Sequence, residues 1–157
     1  MLDRLARLRT VDPIEAALVL LSLALCLDVF VAVVLRYGFG TSLGFYDELA
    51  RYLFVWMSFL GAAVGVKRHG HFGVNFVMDR LPERIRWAVG VLNTLLMLLF
   101  AGLLVSEGLT MVRLSSRQLS PGMEVPVSYL YAPVSISGVL MILYLLPHLA
   151  RQLRGRV

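Results

Sequence analysis

The chain has 157 residues, 59% of them hydrophobic and 16% charged, with a formal charge of +5 and a mean hydropathy of +0.78. Soluble domains carry about 25% charged residues, and a compact domain of this length leaves roughly a third of its unfolded surface facing solvent. The composition therefore excludes a water-soluble fold. It also excludes a nucleic-acid binder, because the fifteen Lys and Arg residues sit in short clusters between apolar runs and form no continuous basic face.

Arg4, Arg7 and Arg9 precede the first apolar run, residues 14–35. This run is longer than a secretory h-region and meets no clear small-x-small cleavage site before Arg36, so it is expected to be a retained span crossing about 30 Å of hydrocarbon. It contains Asp28, roughly 5 Å past its midpoint at a rise of about 1.5 Å per residue. One central Asp costs about 2.5–3.5 kcal/mol on the insertion scale, and Leu, Ile, Val and Phe return about 0.3–0.6 each. With fourteen such residues in the run, insertion wins. An intramembrane carboxylate has two readings: a cation or proton site, or a group paired with a neighbouring helix or subunit.

The second run, residues 45–66, opens on Asp47, Glu48 and Arg51. On a helix Arg51 lies four residues after Asp47 and three after Glu48, so it can meet either acid, and both acids complement the N-terminal end of the helix dipole. Arg36, at the facing end of the first span, can join them. This network either fixes the pairing of the two helices or reaches a partner subunit. Further along, Gly61 and Gly65 form a Gly-x-x-x-Gly spacing that allows close helix approach, within the chain or to another chain.

Residues 69–86 follow, with Val74, Val77, Met78, Leu81 and Ile85 at helical spacing and polar residues between. The pattern predicts a short amphipathic helix in the interface plane, restarted at Pro82, against the alternative of an irregular basic loop. The third span is expected over 87–106. A turn follows around Ser120, Pro121, Gly122 and Pro126, and the fourth span is expected over 125–147. The prediction is an all-α membrane protein, one domain over 1–157 with four transmembrane helices.

Eleven of the fifteen Lys and Arg residues fall before span one, between spans two and three, or after span four; Arg36, Arg51, Arg113 and Arg117 lie on the other side. The positive-inside rule then places both termini in the cytoplasm. The lone Cys26 acts as a small hydrophobe. His69, His71 and His148 lie outside span interiors, so no haem or metal site is expected, and no nucleophile set or phosphate loop is present. The chain is not expected to be an enzyme or to carry a cofactor.

Several segments together resemble a known family: Arg36-Tyr37; the run Asp47-Glu48-Leu49-Ala50-Arg51-Tyr52-Leu53-Phe54-Val55-Trp56; Phe59-Leu60-Gly61-Ala62-Ala63; His71; Leu81-Pro82; and Pro126, Tyr131 and Pro133-Val134. The likeness, which covers nearly the whole chain, is to the small permease subunit of tripartite ATP-independent periplasmic (TRAP) transporters, the DctQ-like proteins. Many members carry two glutamates where this chain has Asp47-Glu48, and Asp28 is not part of the family pattern.

The resemblance implies a multi-pass protein of the bacterial inner membrane. Its partners would be a large permease subunit, which holds the substrate and sodium sites, and a periplasmic substrate-binding protein that delivers an organic acid. Arg36, Asp47, Glu48 and Arg51 would then serve a subunit interface or a structural ion-pair network, with Trp56, Gly61, Gly65 and Pro133 in helix packing. The rival reading is a self-sufficient small cation-coupled carrier or channel using Asp28.

Overall fold

A computed structural model describes residues 13–41, 44–68 and 82–154. Four helices fill them: α1 (Pro13–Gly38), α2 (Gly44–Arg68), α3 (Glu83–Leu114) and α4 (Ser128–Leu153). Each is long and apolar enough to cross a membrane, as the hydropathy pattern predicts. Pro13 opens α1, where its missing N–H costs nothing and its φ is preset. Glu15 and Arg36 then complement the dipole at the two ends of α1. Gly40 reverses the chain at φ +66°, a left-handed conformation that its lack of a Cβ permits, and the Thr41 N–H returns to Leu35 O at 3.1 Å.

Two helices outrun the predicted spans. α3 continues to Leu114 because its polar residues turn their hydroxyls back on the helix: Ser106 donates to Leu103 O at 3.1 Å and Thr110 to Ser106 O at 3.0 Å. α4 runs through Pro147 to Leu153, since a proline removes one ladder hydrogen bond without ending a helix that its neighbours support. The predicted amphipathic segment lies outside the described residues over 69–81, as do His69 and His71; Pro82, extended at ψ 146°, precedes the first turn of α3.

Among the described residues the helices do not close into a bundle. α3 pairs extensively with α4, α1 with α2, and α2 with α4, so the spatial order is α1, α2, α4, α3, and among the described helices α1 has no substantial neighbour except α2. Both connections, α1 to α2 and α3 to α4, lie at one end of this row, the loop end; the start of α1 and the end of α4 mark the terminal end. The small core sits where α2, α4 and α3 meet, at Ala63, Ala101, Met141 and Leu145.

Small residues set the α3–α4 separation. A Cβ on Gly138 would lie 2.9 Å from Ala101 O and 2.9 Å from Val105 Cγ2, and one on Gly108 would collide with Ser135 Oγ. On α2, by contrast, a Cβ on Gly61 would meet only Leu18 Cδ2 at 4.0 Å, and one on Gly65 would meet nothing within 4 Å. Among the described helices, close approach to a helix backbone therefore occurs at Gly108 and Gly138, and Gly61 and Gly65 are loosely covered.

Candidate subunit interface at the loop end

Asp47 and Glu48 are adjacent in sequence and about 100° apart around the helix, so they serve different neighbours. Asp47 turns to α1: Arg36 Nη2 donates to Oδ2 at 3.1 Å and to Oδ1 at 3.3 Å. Both side chains are about half exposed, so the pair contributes about 0–1 kcal/mol and acts chiefly to set the register of the two helices. Glu48 turns to the α3–α4 loop, where its Oε2 accepts the Met123 N–H at 2.9 Å and the Gly122 backbone adds a second contact. Ser120 Oγ lies beside the same carboxylate, short of a well-formed hydrogen bond. Arg51 is exposed and within electrostatic reach of Glu48, without a direct ion pair. Asp47 and Glu48 thus tie the start of α2 to two separate neighbours, α1 and the α3–α4 loop.

The loop itself is a tight turn. Leu119 and Pro126 form an antiparallel bridge, Ser120 N–H donates to Val125 O at 2.9 Å, and Val127 N–H donates to Gln118 O at 2.9 Å. A Cβ on Gly122 would stand 3.0 Å from Gly44 C and O, so a larger residue would press this turn away from the start of α2.

Both tryptophans of the chain fasten α4. Trp56 Nε1 donates to Tyr129 O at 3.0 Å. That carbonyl would normally accept the N–H four residues on, but the residue there is Pro133, fully buried and without an N–H. Trp87 Nε1 donates to Gln152 O at 3.0 Å, a carbonyl in the last turn of α4. The family resemblance implies packing roles for Trp56 and Pro133, but not this hydrogen bond. The legible signal is a proline inside an apolar helix, past its first turn, where it frees the carbonyl four residues back.

At the terminal end Arg68 grips Glu15 with two bonds, Nε to Oε1 at 2.9 Å and Nη2 to Oε2 at 2.6 Å. The α1–α2 pair is therefore pinned at both ends. Lys67 Nζ sits 5.6 Å from the centroid of the Tyr144 ring, linking α2 to α4. Between α3 and α4, the buried Thr94 and Gln152 are hydrogen-bonded at 3.0 Å, and the Gln152 amide meets His148 Nε2 at 2.9 Å. Asp28 is buried in α1, only 6% exposed, and neither carboxyl oxygen has a hydrogen-bond partner among the described residues. Asp28→Leu is accordingly expected to stabilise the chain by about 1–3 kcal/mol by removing an unsatisfied buried polar group; a rise in the thermal unfolding midpoint in detergent checks this.

Comparison with known proteins agrees with this architecture. The family described as tripartite ATP-independent periplasmic transporters, DctQ component, matches residues 13–155. A protein of Haemophilus influenzae bearing the name TRAP transporter small permease protein is 29% identical over 113 residues, covering 72% of this chain and 70% of the relative. The isethionate TRAP transporter permease protein DctMQ of Oleidesulfovibrio alaskensis is 32% identical over 112 residues, 69% of this chain but 17% of that longer protein. The C4-dicarboxylate TRAP transporter small permease protein DctQ of Vibrio cholerae is 37% identical over 76 residues, 48% of this chain and 33% of the relative. The chain is a multi-pass inner-membrane protein and belongs to the DctQ component family of tripartite ATP-independent periplasmic transporters.

Proposed function

We propose that this chain packs on, and stabilises, the large permease subunit of a TRAP transporter, with both termini and the 69–82 connection in the cytoplasm and the loop end on the periplasmic side. The observation that carries the reading is the open row of helices. Lipid provides no hydrophobic force to hold such a row in shape, and α1, which among the described helices packs substantially on α2 alone, has surface available to a larger membrane protein. Gly65, where an added Cβ would meet none of the described residues within 4 Å, offers one place for a foreign helix to approach closely.

In this reading a periplasmic binding protein delivers the substrate, and the large subunit carries it as a symporter driven by a sodium gradient. The relatives are named for isethionate, C4-dicarboxylates and sialic acid, all organic anions, which supports an organic acid as the substrate class. The charged groups at the start of α2 lie at or near the contact between subunits.

The test is co-purification of the tagged chain with the large subunit in mild detergent, together with uptake in cells. Charge reversal at Glu48 or Arg51, and Gly65→Leu, are expected to reduce both. Gly65→Leu should do so without lowering the thermal stability of the isolated chain, because none of the described residues lies within 4 Å of a Cβ there. Normal co-purification and normal uptake in both reversals would defeat the proposal. Uptake by the purified chain alone in liposomes, abolished by Asp28→Asn, would replace it with the self-sufficient carrier.

A further inference from the structure

We propose that residues 118–132 form a cap that is hinged at Pro133 and fastened to α2 rather than to the body of α4, with Trp56 supplying the partner that Pro133 takes away. Three observations meet at this segment. Its internal hydrogen bonds are local: Ser120 to Val125, Val127 to Gln118 and Leu130 to Val127, each at 2.9 Å, and Tyr129 to Pro126 at 3.1 Å. Its first turn of helix loses one bond of the continuous α4 ladder, at Tyr129 O, because Pro133 has no N–H and its ring crowds the carbonyl four residues back. Its hydrogen bonds from Met123 N–H to Glu48 at 2.9 Å and from Trp56 Nε1 to Tyr129 O at 3.0 Å both tie it to α2.

The two fastening points are eight residues apart on α2, about 12 Å along its axis, and the cap lies against that stretch as a strap. Gly122, resting on Gly44, keeps the strap close. The cap therefore follows the start of α2: a partner that shifts α2 at the loop end carries the cap with it, while α4 beyond Pro133 stays with α3. This inference concerns the chain's own mechanics and holds whichever protein covers the row.

Amide hydrogen exchange on the full chain in lipid nanodiscs tests it. Trp56→Phe keeps the ring and deletes the donor. Exchange at Ser120, Met123, Glu124 and Val127 is expected to accelerate roughly tenfold, the loss of one hydrogen bond, with residues 137–153 unchanged. In a Pro133→Ala background the new N–H at position 133 can reach Tyr129 O, so the same Trp56→Phe change is expected to have little effect. Unchanged exchange in Trp56→Phe, acceleration spread over 137–153, or an equal effect in the Pro133→Ala background would each overturn the proposal. Should the Pro133→Ala chain fail to fold, Trp87→Phe decides. It deletes a matching bond at the far end of α4, where it should leave the cap untouched; equal loosening of the cap by both tryptophan changes would refute the hinge.

Discussion

Gly138→Leu is expected to prevent stable folding, with the purified protein aggregating in detergent at temperatures the parent chain tolerates. A Cβ at this position already meets Ala101 O at 2.9 Å and Leu104 Cβ at 3.2 Å. The first of these is backbone, which cannot rotate away as the tip of a side chain can. Overpacking of a tight core costs about 1–3 kcal/mol, and a whole Leu side chain here forces α3 and α4 apart along their most extensive contact. Gly138→Ala should fall between the two. Gly65→Leu, added where none of the described residues lies within 4 Å of a Cβ, should leave the melting temperature unaltered. Similar melting temperatures for the two Leu variants would show that the α3–α4 approach is less tight than the geometry indicates.

The second large effect is expected at Gln152. Its side chain points back from the last turn of α4 toward Thr94 on α3, and the single Thr94 hydroxyl proton is shared between Gln152 Oε1 and Gly90 O, each at 3.0 Å. Gln152→Leu leaves the His148 ring nitrogen without this partner and Thr94 with only its own helix carbonyl. The expected cost is about 0.5–1.5 kcal/mol, the net contribution of a hydrogen bond whose donor keeps a second acceptor. Thr94→Val should cost a similar amount, and the double variant Thr94→Val/Gln152→Leu less than the sum, because the second change removes the group that the first leaves stranded. Additive losses in urea or thermal unfolding would mean that the two side chains do not act as a unit.

The four spans were legible because apolar runs of about twenty residues admit almost no other structure in a bilayer. Their ends were less so. Ser106 looks like a boundary by hydropathy, yet its hydroxyl is satisfied by its own helix, and nothing in a residue's polarity reveals where that hydroxyl points. At the loop end the sequence indicates that Asp47, Glu48, Arg36 and Arg51 lie close together. Assigning partners needed the position of the α3–α4 loop, since Met123 is 75 residues from Glu48. The Glu15–Arg68 clamp was hidden for the same reason: each residue alone is only a charge suited to its helix end. Gly108 and Gly138 were overlooked beside the more familiar spacing of Gly61 and Gly65, although Ser135, Ser137 and Gly138 already marked a small-residue face on α4.

The order of helices across the row has a consequence for how the protein is made. Chain neighbours α1 and α2 form one pair, α3 and α4 another, and the α2–α4 seam is the main contact between pairs. Each pair can be assembled in the bilayer as it leaves the ribosome, before the other exists, so the last event in biogenesis is the meeting of two finished halves along one line. A chain severed between residues 68 and 83 should therefore reassemble from its two pieces when they are synthesised together.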